Sequence, residues 1–279
     1  MKQRPLKIIL VTMLLVVGMF SCKKEDSHTK GPLISKVIYN GLIAYKLYYS
    51  DKGQWIKWES YKLEPGDNTL SVYLTFEYND KGQLAKTSIN DMPGDVPRTR
   101  IFYEYDNSGK QTGYTLYDLQ GANPSKPYLK GAFVYNQQNL LGTATIRKEN
   151  GDLWAYYSLS YYDNGFPKER DEYDETITHQ LRLTGKTIYS VPIGDNIKGW
   201  EKLTVLPIDG DELTRKARYE TIQRYLYNNG VLTKNIKEVT SARENNADGT
   251  LKRLTSTTQH ISPASADEVN IFEFEYIQQ

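Results

Sequence analysis

Two groups of carboxylates are the first candidates for chemistry: the run Glu169-Arg170-Asp171-Glu172-Tyr173-Asp174-Glu175, and the trio Asp209, Asp211 and Glu212. A glycoside hydrolase needs two carboxyl groups about 5 to 9.5 Å apart with separated pKa values, which residues of a strand can supply. Asp171 and Glu172 are the residues whose replacement tests that reading. Acidic runs broken by Lys and Arg also suit solvated edge strands, where charge blocks aggregation, and this reading ranks first. The three histidines, His28, His179 and His260, have no H-x-x-x-H spacing, so neither a metal nor a cofactor is expected. There is no G-x-S-x-G elbow. Gly185-Lys186-Thr187 has the form of the end of a phosphate-binding loop, but its first glycine would fall at Gln180, and a turn entering a strand is expected instead. Glu244-Asn245-Asn246-Ala247-Asp248-Gly249 has the form of the start of a calcium loop. Position twelve would be Thr255, which has no carboxylate, so a polar hairpin turn is expected.

Aromatic side chains are the stronger candidates. Tyr48, Trp55, Trp58 and Tyr61 sit close together, and Trp154 leads a second group with Tyr156 and Tyr157. Flat rings stack on sugar faces and anchor protein partners. Tyr48, Trp55, Trp58, Tyr61 and Trp154 are therefore the expected ligand-binding residues. The competing expectation is that they fill a sheet's core or pair across strands.

The elements that carry these residues follow one pattern. Aromatic residues precede a turn at Tyr49, Tyr78, Tyr105, Tyr135, Tyr162, Tyr227 and Tyr276, with first gaps of 29, 27, 30 and 27 residues. Tyr189, 27 residues after Tyr162, is read as the remnant of a further copy. A period near 28 is an internal repeat. Before each turn, alternation puts pairs such as Phe76 and Tyr78, or Phe133 and Tyr135, on one face, while the other face is mixed. Asn, Asp or Ser then leads to Gly, as in Asn79-Asp80-Lys81-Gly82, and a second strand follows. Each copy is a β-hairpin. Residues 190 to 213 break the rhythm with Pro192, Gly194, Pro207 and Gly210, and read as loops. Leu213 to Tyr227 fits a helix capped by Asp211 or a strand equally well. Residues 241 to 250 read as a long polar turn.

Tyr103-Glu104-Tyr105-Asp106-Asn107-Ser108-Gly109-Lys110 resembles the YD repeats of the RHS and teneurin families, and the resemblance extends over about residues 45 to 235. Other copies depart from it: Asn79, Asn136 and Asn228 replace the Asp, and Gln follows Gly53 and Gly82 where Arg is common. The resemblance implies an antiparallel sheet wound from successive hairpins. In large family members that sheet closes into a shell around cargo. The expectation here is an all-β antiparallel meander of about seven hairpins, forming a curved or open-wrapped sheet too small to close.

The first residues read as an address. Lys2, Arg4 and Lys7 precede an apolar run from Ile8 to Phe20, which as a helix would be ~20 Å long, short of a ~30 Å hydrocarbon core. Residues 1–21 therefore read as a signal peptide. Gly18-Met19-Phe20-Ser21-Cys22 resembles a bacterial lipoprotein lipobox, with Met19 where Leu is usual, and implies a lipid on Cys22, the chain's only cysteine. Two or three acyl chains hold a protein on a membrane where one does not. Lys23-Lys24-Glu25-Asp26-Ser27 resembles the charged export tag of Bacteroidota-type surface lipoproteins, and residues 22–33 read as a lipidated tether before a repeat domain of residues 34–279. Removing the leader leaves 32 basic against 34 acidic side chains, too balanced a field to recruit nucleic acid.

The expectation is a non-enzymatic lipoprotein on the outer membrane, surface-exposed or else on the periplasmic face, held by lipid at Cys22. Its partner would be a glycan or a protein. The alternatives are a structural or accessory subunit of an outer-membrane complex and, ranked below it, a carboxylate-based glycoside hydrolase.

Overall fold

A computed structural model describes residues 32–176, 180–192, 219–228, 231–261 and 263–277. The expected signal peptide, the lipidation site Cys22, His28, His179 and nearly all of the tether and of the loop-rich break lie outside these residues.

Every described element is a strand. The first eight are β1 (Leu33–Tyr39), β2 (Leu42–Tyr49), β3 (Trp55–Tyr61), β4 (Leu70–Tyr78), β5 (Leu84–Asp91), β6 (Val96–Tyr105), β7 (Gln111–Asp118) and β8 (Leu129–Tyr135). The rest are β9 (Leu141–Lys148), β10 (Leu153–Tyr161), β11 (Pro167–Glu175), β12 (Leu181–Tyr189), β13 (Thr221–Asn228), β14 (Val231–Asn245), β15 (Leu251–His260) and β16 (Glu268–Ile277). They follow one another around the sheet, and β1 pairs with β16 to close it into a barrel of 16 strands. This corrects the expected open or curved sheet of about seven hairpins. The reason is physical: each hairpin gives two strands, and joining first to last removes both unpaired edges. Leu33 faces Ile277 and Tyr39 faces Phe272 in that seam.

Seven of the hairpins share one turn. At 50–54, 79–83, 106–110, 136–140, 148–152, 162–166 and 246–250 the first residue's N–H bonds the fifth carbonyl, and the fourth N–H bonds the first carbonyl. That pattern is a type I turn followed by a left-handed residue, the common three-residue hairpin connection. The left-handed residue is Gly82 at φ 76° and Gly109 at φ 86°; in one copy it is Asn139 at φ 66°. Asn79 Oδ1 accepts from the N–H groups of Lys81 and Gln83, both at 3.0 Å, and Asp106 Oδ1 accepts in the same way from Ser108 and Lys110 at 2.9 Å. The Asn and Asp at the first position therefore lock the bend.

This register corrects one anchor. Tyr162 occupies the turn's first position, the place of Asn79, so the phenol that ends β10 is Tyr161. The hydroxyl of Tyr161 donates to the Leu141 carbonyl at 2.8 Å, while that of Tyr162 goes to the Tyr189 carbonyl at 2.7 Å. Two further expectations change. The stretch read as a helix or strand is strand from Thr221, in β13, and the first half of 241–250 belongs to β14, leaving 246–250 as turn.

The described residues fall into two compact units. The first comprises the described part of Cys22–Ala132 with Thr145–Trp154 and Ile271–Gln279; the second comprises Phe133–Ala144 and Ala155–Asn270. In the first unit alternate residues such as Leu47, Trp58, Leu74, Phe76, Ile89 and Ile101 are buried. Tyr114 closes over Gly131, where a Cβ would lie 2.0 Å from its ring. In the second unit Leu141, Ala144, Leu251 and Leu254 are buried, and Tyr189, Tyr219 and Ile222 pack with Phe166.

Candidate functional site

The segment between β7 and β8 is longer than a turn requires, and it forms one wall of a cleft in the first unit. Asp118 starts it, its carboxylate accepting from the Gln120 N–H at 3.1 Å, and the Tyr128 N–H returns the chain to the ladder at the Leu116 carbonyl, 2.7 Å away. The turn between β9 and β10 forms the other wall. Lys126 Nζ meets Glu149 Oε1 at 3.0 Å and ties the two walls together. The cleft has a volume of about 480 Å³ and is lined by Asp118, Asn123, Lys126, Tyr128, Lys148 and Asn150, among others. That volume lies in the range of small-ligand sites.

Trp154 stands behind this cleft. Its ring meets Tyr128 edge-on, with centroids 6.0 Å apart, and carries Lys148 Nζ 5.4 Å from its centroid. Burial, and then the Asp118 charge, raise the pKa of the Tyr128 hydroxyl, so the phenol stays neutral and free to donate or accept. The Asn150 amide is engaged at both ends by Asp152, at 2.7 and 3.2 Å, which leaves a ring, the Asn123 amide and ions of both signs as groups that can meet sugar hydroxyls beside an apolar ring face.

The other four expected binding residues are placed differently. Trp55 and Trp58 are only 5% and 4% exposed, on the buried face, where Trp55 packs against Phe76 and Trp58 against Tyr45. Tyr48 and Tyr61 come together on the exposed face of β2 and β3, but around Glu59. Its carboxylate accepts from the Tyr48 hydroxyl at 2.8 Å, the Tyr61 hydroxyl at 2.7 Å and Lys57 Nζ at 2.8 Å. Lys57 also lies over the rings of Tyr48 and Tyr73, and Lys46 over Tyr61. Burial pushes the Glu59 carboxyl up, yet the three hydrogen bonds outweigh it and hold its pKa below the ordinary value. Burial and the bond to Glu59 push both Tyr48 and Tyr61 up to about 12.

Asp209, Asp211 and Glu212 lie outside the described residues, and the described pair Asp171 and Glu172 does not converge. Asp171 and Glu172 are consecutive in β11 and so point to opposite faces. Asp171 pairs with Lys186 at 3.0 Å, which also holds Glu169 at 2.6 Å; Glu172 stands opposite the buried Tyr157. Gly185-Lys186-Thr187 lies inside β12, not in a phosphate-binding turn. Among the described residues no group of three or more His, Cys, Asp or Glu side chains is placed to hold a metal ion.

The two faces of the sheet in the first unit differ in polarity. Buried positions carry Leu74, Ile89, Ile101, Leu116 and Leu129. The other face carries Lys57, Lys86 paired with Glu77, and the exposed Arg100, Glu104 and Lys130. A transmembrane barrel with an aqueous channel has the reverse order, apolar outside and polar inside. No helix among the described residues is long and apolar enough to cross a membrane.

Sequence reasoning missed Asn123, Lys126 and Tyr128. One signal pointed there: the gap from Tyr105 to Tyr135 is 30 residues, the longest of the first four, and it contains Gly121-Ala122-Asn123-Pro124.

No known protein family matches the sequence, and no curated protein matches it. Solved structures do. A porin-like protein from Bacteroides uniformis is 14% identical over 88% of this chain and 96% of its own, with a TM-score of 0.52. A porin-like protein from Bacteroides vulgatus is 13% identical over 88% of this chain and 99% of its own, with a TM-score of 0.44. A chain of the Photorhabdus luminescens Tc holotoxin pore is 9% identical over 82% of this chain and 13% of its own, with a TM-score of 0.30. The first of these is a likeness of fold.

Proposed function

We propose that the chain is a non-enzymatic lipoprotein: a water-facing β-barrel of divergent YD-type hairpins, tethered by lipid at Cys22 to the outer membrane and displayed at the cell surface. Its cleft beside Tyr128 binds a glycan. The observation that carries the binding reading is the cleft itself, where Tyr128, the Asn123 amide and the exposed Lys126–Glu149 pair border about 480 Å³. The polarity of the faces supports a barrel that stands in water. Each Lys or Arg on a lipid-facing surface near the bilayer midplane costs ~2–4 kcal/mol, and the exposed face here carries several in mid-strand. The shared turn geometry and the phenol bonds of Tyr105 and Tyr161 support the repeat reading.

A second reading, docking on an outer-membrane complex, rests on Phe102. Its ring is 41% exposed and meets Tyr117 edge-on at 5.7 Å on the otherwise charged face. A glycan array and a pull-down from outer-membrane extract, run with the Tyr128→Ala and Phe102→Ala proteins, separate the two. The glycan reading expects array binding that weakens at least ~fivefold in Tyr128→Ala, about 1 kcal/mol, and is unchanged in Phe102→Ala. Array binding that ignores Tyr128→Ala contradicts it, and capture of one membrane protein lost only in Phe102→Ala favours docking.

A further inference from the structure

The buried face of the second unit is not apolar throughout. A polar band crosses it strand by strand. Arg170 of β11 stands opposite Thr187 of β12, and Thr187 stands opposite Arg224 of β13. Arg224 pairs with Glu238 of β14 at 2.9 Å, Glu238 stands opposite Thr258 of β15, and Thr258 bonds Asn270 of β16 at 3.2 Å. Directly opposed residues share a face, and this face is buried: Thr187 is 4% exposed, Glu238 4%, Thr258 8% and Asn270 4%. At the end of the band Arg170 lies over the ring of Tyr157, which is 0% exposed.

Several polar atoms of this band have no partner. Tyr157 Oη, Arg170 Nε, Arg224 Nε, Glu238 Oε2 and Ser256 Oγ are buried without a hydrogen bond. Ser256, 0% exposed, lies two residues from Thr258 on the same side of β15. Native structures leave few buried polar atoms unsatisfied, and a cluster of them calls for a polar occupant, from a water or an ion to a ligand. The inventory is donor-rich: two guanidinium N–H groups and two hydroxyls stand against one carboxylate oxygen. Arg224 is committed to Glu238, but Arg170 makes no ion pair among the described residues. Glu172, two residues along the same face, makes none either. The band remains open to solvent, since the Arg224 side chain is 31% exposed and Arg170 and Glu172 are half-buried.

We propose that this band is a binding site for an acidic sugar. The ligand's carboxylate takes the Arg170 guanidinium and the Tyr157 hydroxyl, and its ring hydroxyls donate to Glu172, which stands opposite Tyr157. A neutral sugar leaves Arg170 unanswered. A bare oxyanion leaves Glu172 without a donor and adds a second negative charge beside it. A molecule with one carboxylate and several hydroxyls meets both demands. The site is separate from the Tyr128 cleft and does not depend on it.

The test is calorimetric titration of the full chain with glucuronate, glucose and sulfate. Arg170→Gln is the informative variant, because Arg170 has no ion pair whose loss would endanger folding, whereas Arg224→Gln strands Glu238. Tyr157→Phe is the second variant, since it removes only a hydroxyl without a partner. Saturable glucuronate binding is expected, with glucose and sulfate each at least ~tenfold weaker. Arg170→Gln should weaken glucuronate at least ~tenfold, Tyr157→Phe less, and Tyr128→Ala not at all. Absence of glucuronate binding, sulfate binding as tight as glucuronate, or full retention in both Arg170→Gln and Tyr157→Phe overturns the proposal.

Discussion

The hydroxyl of Tyr105 donates to the main-chain carbonyl of Leu84 at 2.8 Å, joining the end of β6 to the start of β5 in the preceding hairpin. Beside it the Gln83 side chain reaches the other way, to the Gly109 carbonyl at 3.0 Å, just as Gln54 reaches Gly82 at 3.0 Å. Successive turns are therefore stitched in both directions. Tyr49 and Tyr161 make the same kind of phenol bond, to the carbonyls of Ile34 and Leu141. The Gln that departs from the YD pattern has a structural use: its amide is long enough to bridge to the next turn.

If the phenol bond holds neighbouring hairpins together, Tyr105→Phe should lower stability by about 1 kcal/mol, the net worth of one half-buried hydrogen bond. Urea unfolding reads this as a lower midpoint with an unchanged slope. A midpoint equal to that of the wild type would remove the stitch from the account.

The turn's fourth residue should tolerate only side chains that accept positive φ. Gly109 sits at φ 86°, and a Cβ there would meet the Gln83 amide at 2.9 Å. Gly109→Ala should cost ~1–2 kcal/mol and Gly109→Asn less, as Asn139 already occupies the equivalent place. Equal losses for the two variants would show that backbone strain is not the cause.

Gly131 answers to a different constraint, the Tyr114 ring pressed against it. Gly131→Ala should cost ~1–3 kcal/mol through overpacking, since Tyr114 is 1% exposed and has little room to retreat. A thermal midpoint within error of the wild type would show that the ring moves aside.

The Glu59 network predicts opposite behaviour at the two ends of the pH scale. The Glu59 pKa is lowered on folding, so its contribution is present above the unfolded value near ~4.3 and is lost as pH falls through the lower folded value. Tyr48 and Tyr61 are raised to about 12, so their contribution is present below the unfolded value near ~10 and is lost as pH rises toward 12. Glu59→Gln should flatten the acid limb of stability against pH and shift the phenolate absorbance of Tyr48 and Tyr61 to lower pH. Unchanged phenolate titration in that variant would contradict the network.

The local chemistry of the fold was legible in the chain, because the Asn–Gly turns and the alternation around Phe76 and Tyr78 act over a few residues. The phase of one copy was not. Tyr161 and Tyr162 are both tyrosines before an Asp, and only the ladder shows which one ends the strand. Closure was not legible either: Leu33 and Ile277 are partners at opposite ends of the chain, and no local pattern announces such a pair. Trp154 was singled out as an aromatic to watch, but the cleft near it comes from a loop around Asn123 whose only mark was a longer repeat. Arg170 and Glu172 read as solvated edge charges because the run Glu169–Glu175 alternates between faces, and its buried half is visible only once β11 has neighbours on both sides.

On the proposed function, this barrel stands in water and reaches the membrane only through lipid. The direct measurement replaces Met1–Cys22 with a cleavable export signal that carries no lipidation site, then fractionates the cells. A folded protein is expected in the soluble periplasmic fraction without detergent, while the native chain stays with the outer membrane. A lipid-free protein that remains in the membrane and needs detergent for release would show a barrel crossing the bilayer with its strands, and would contradict the claim.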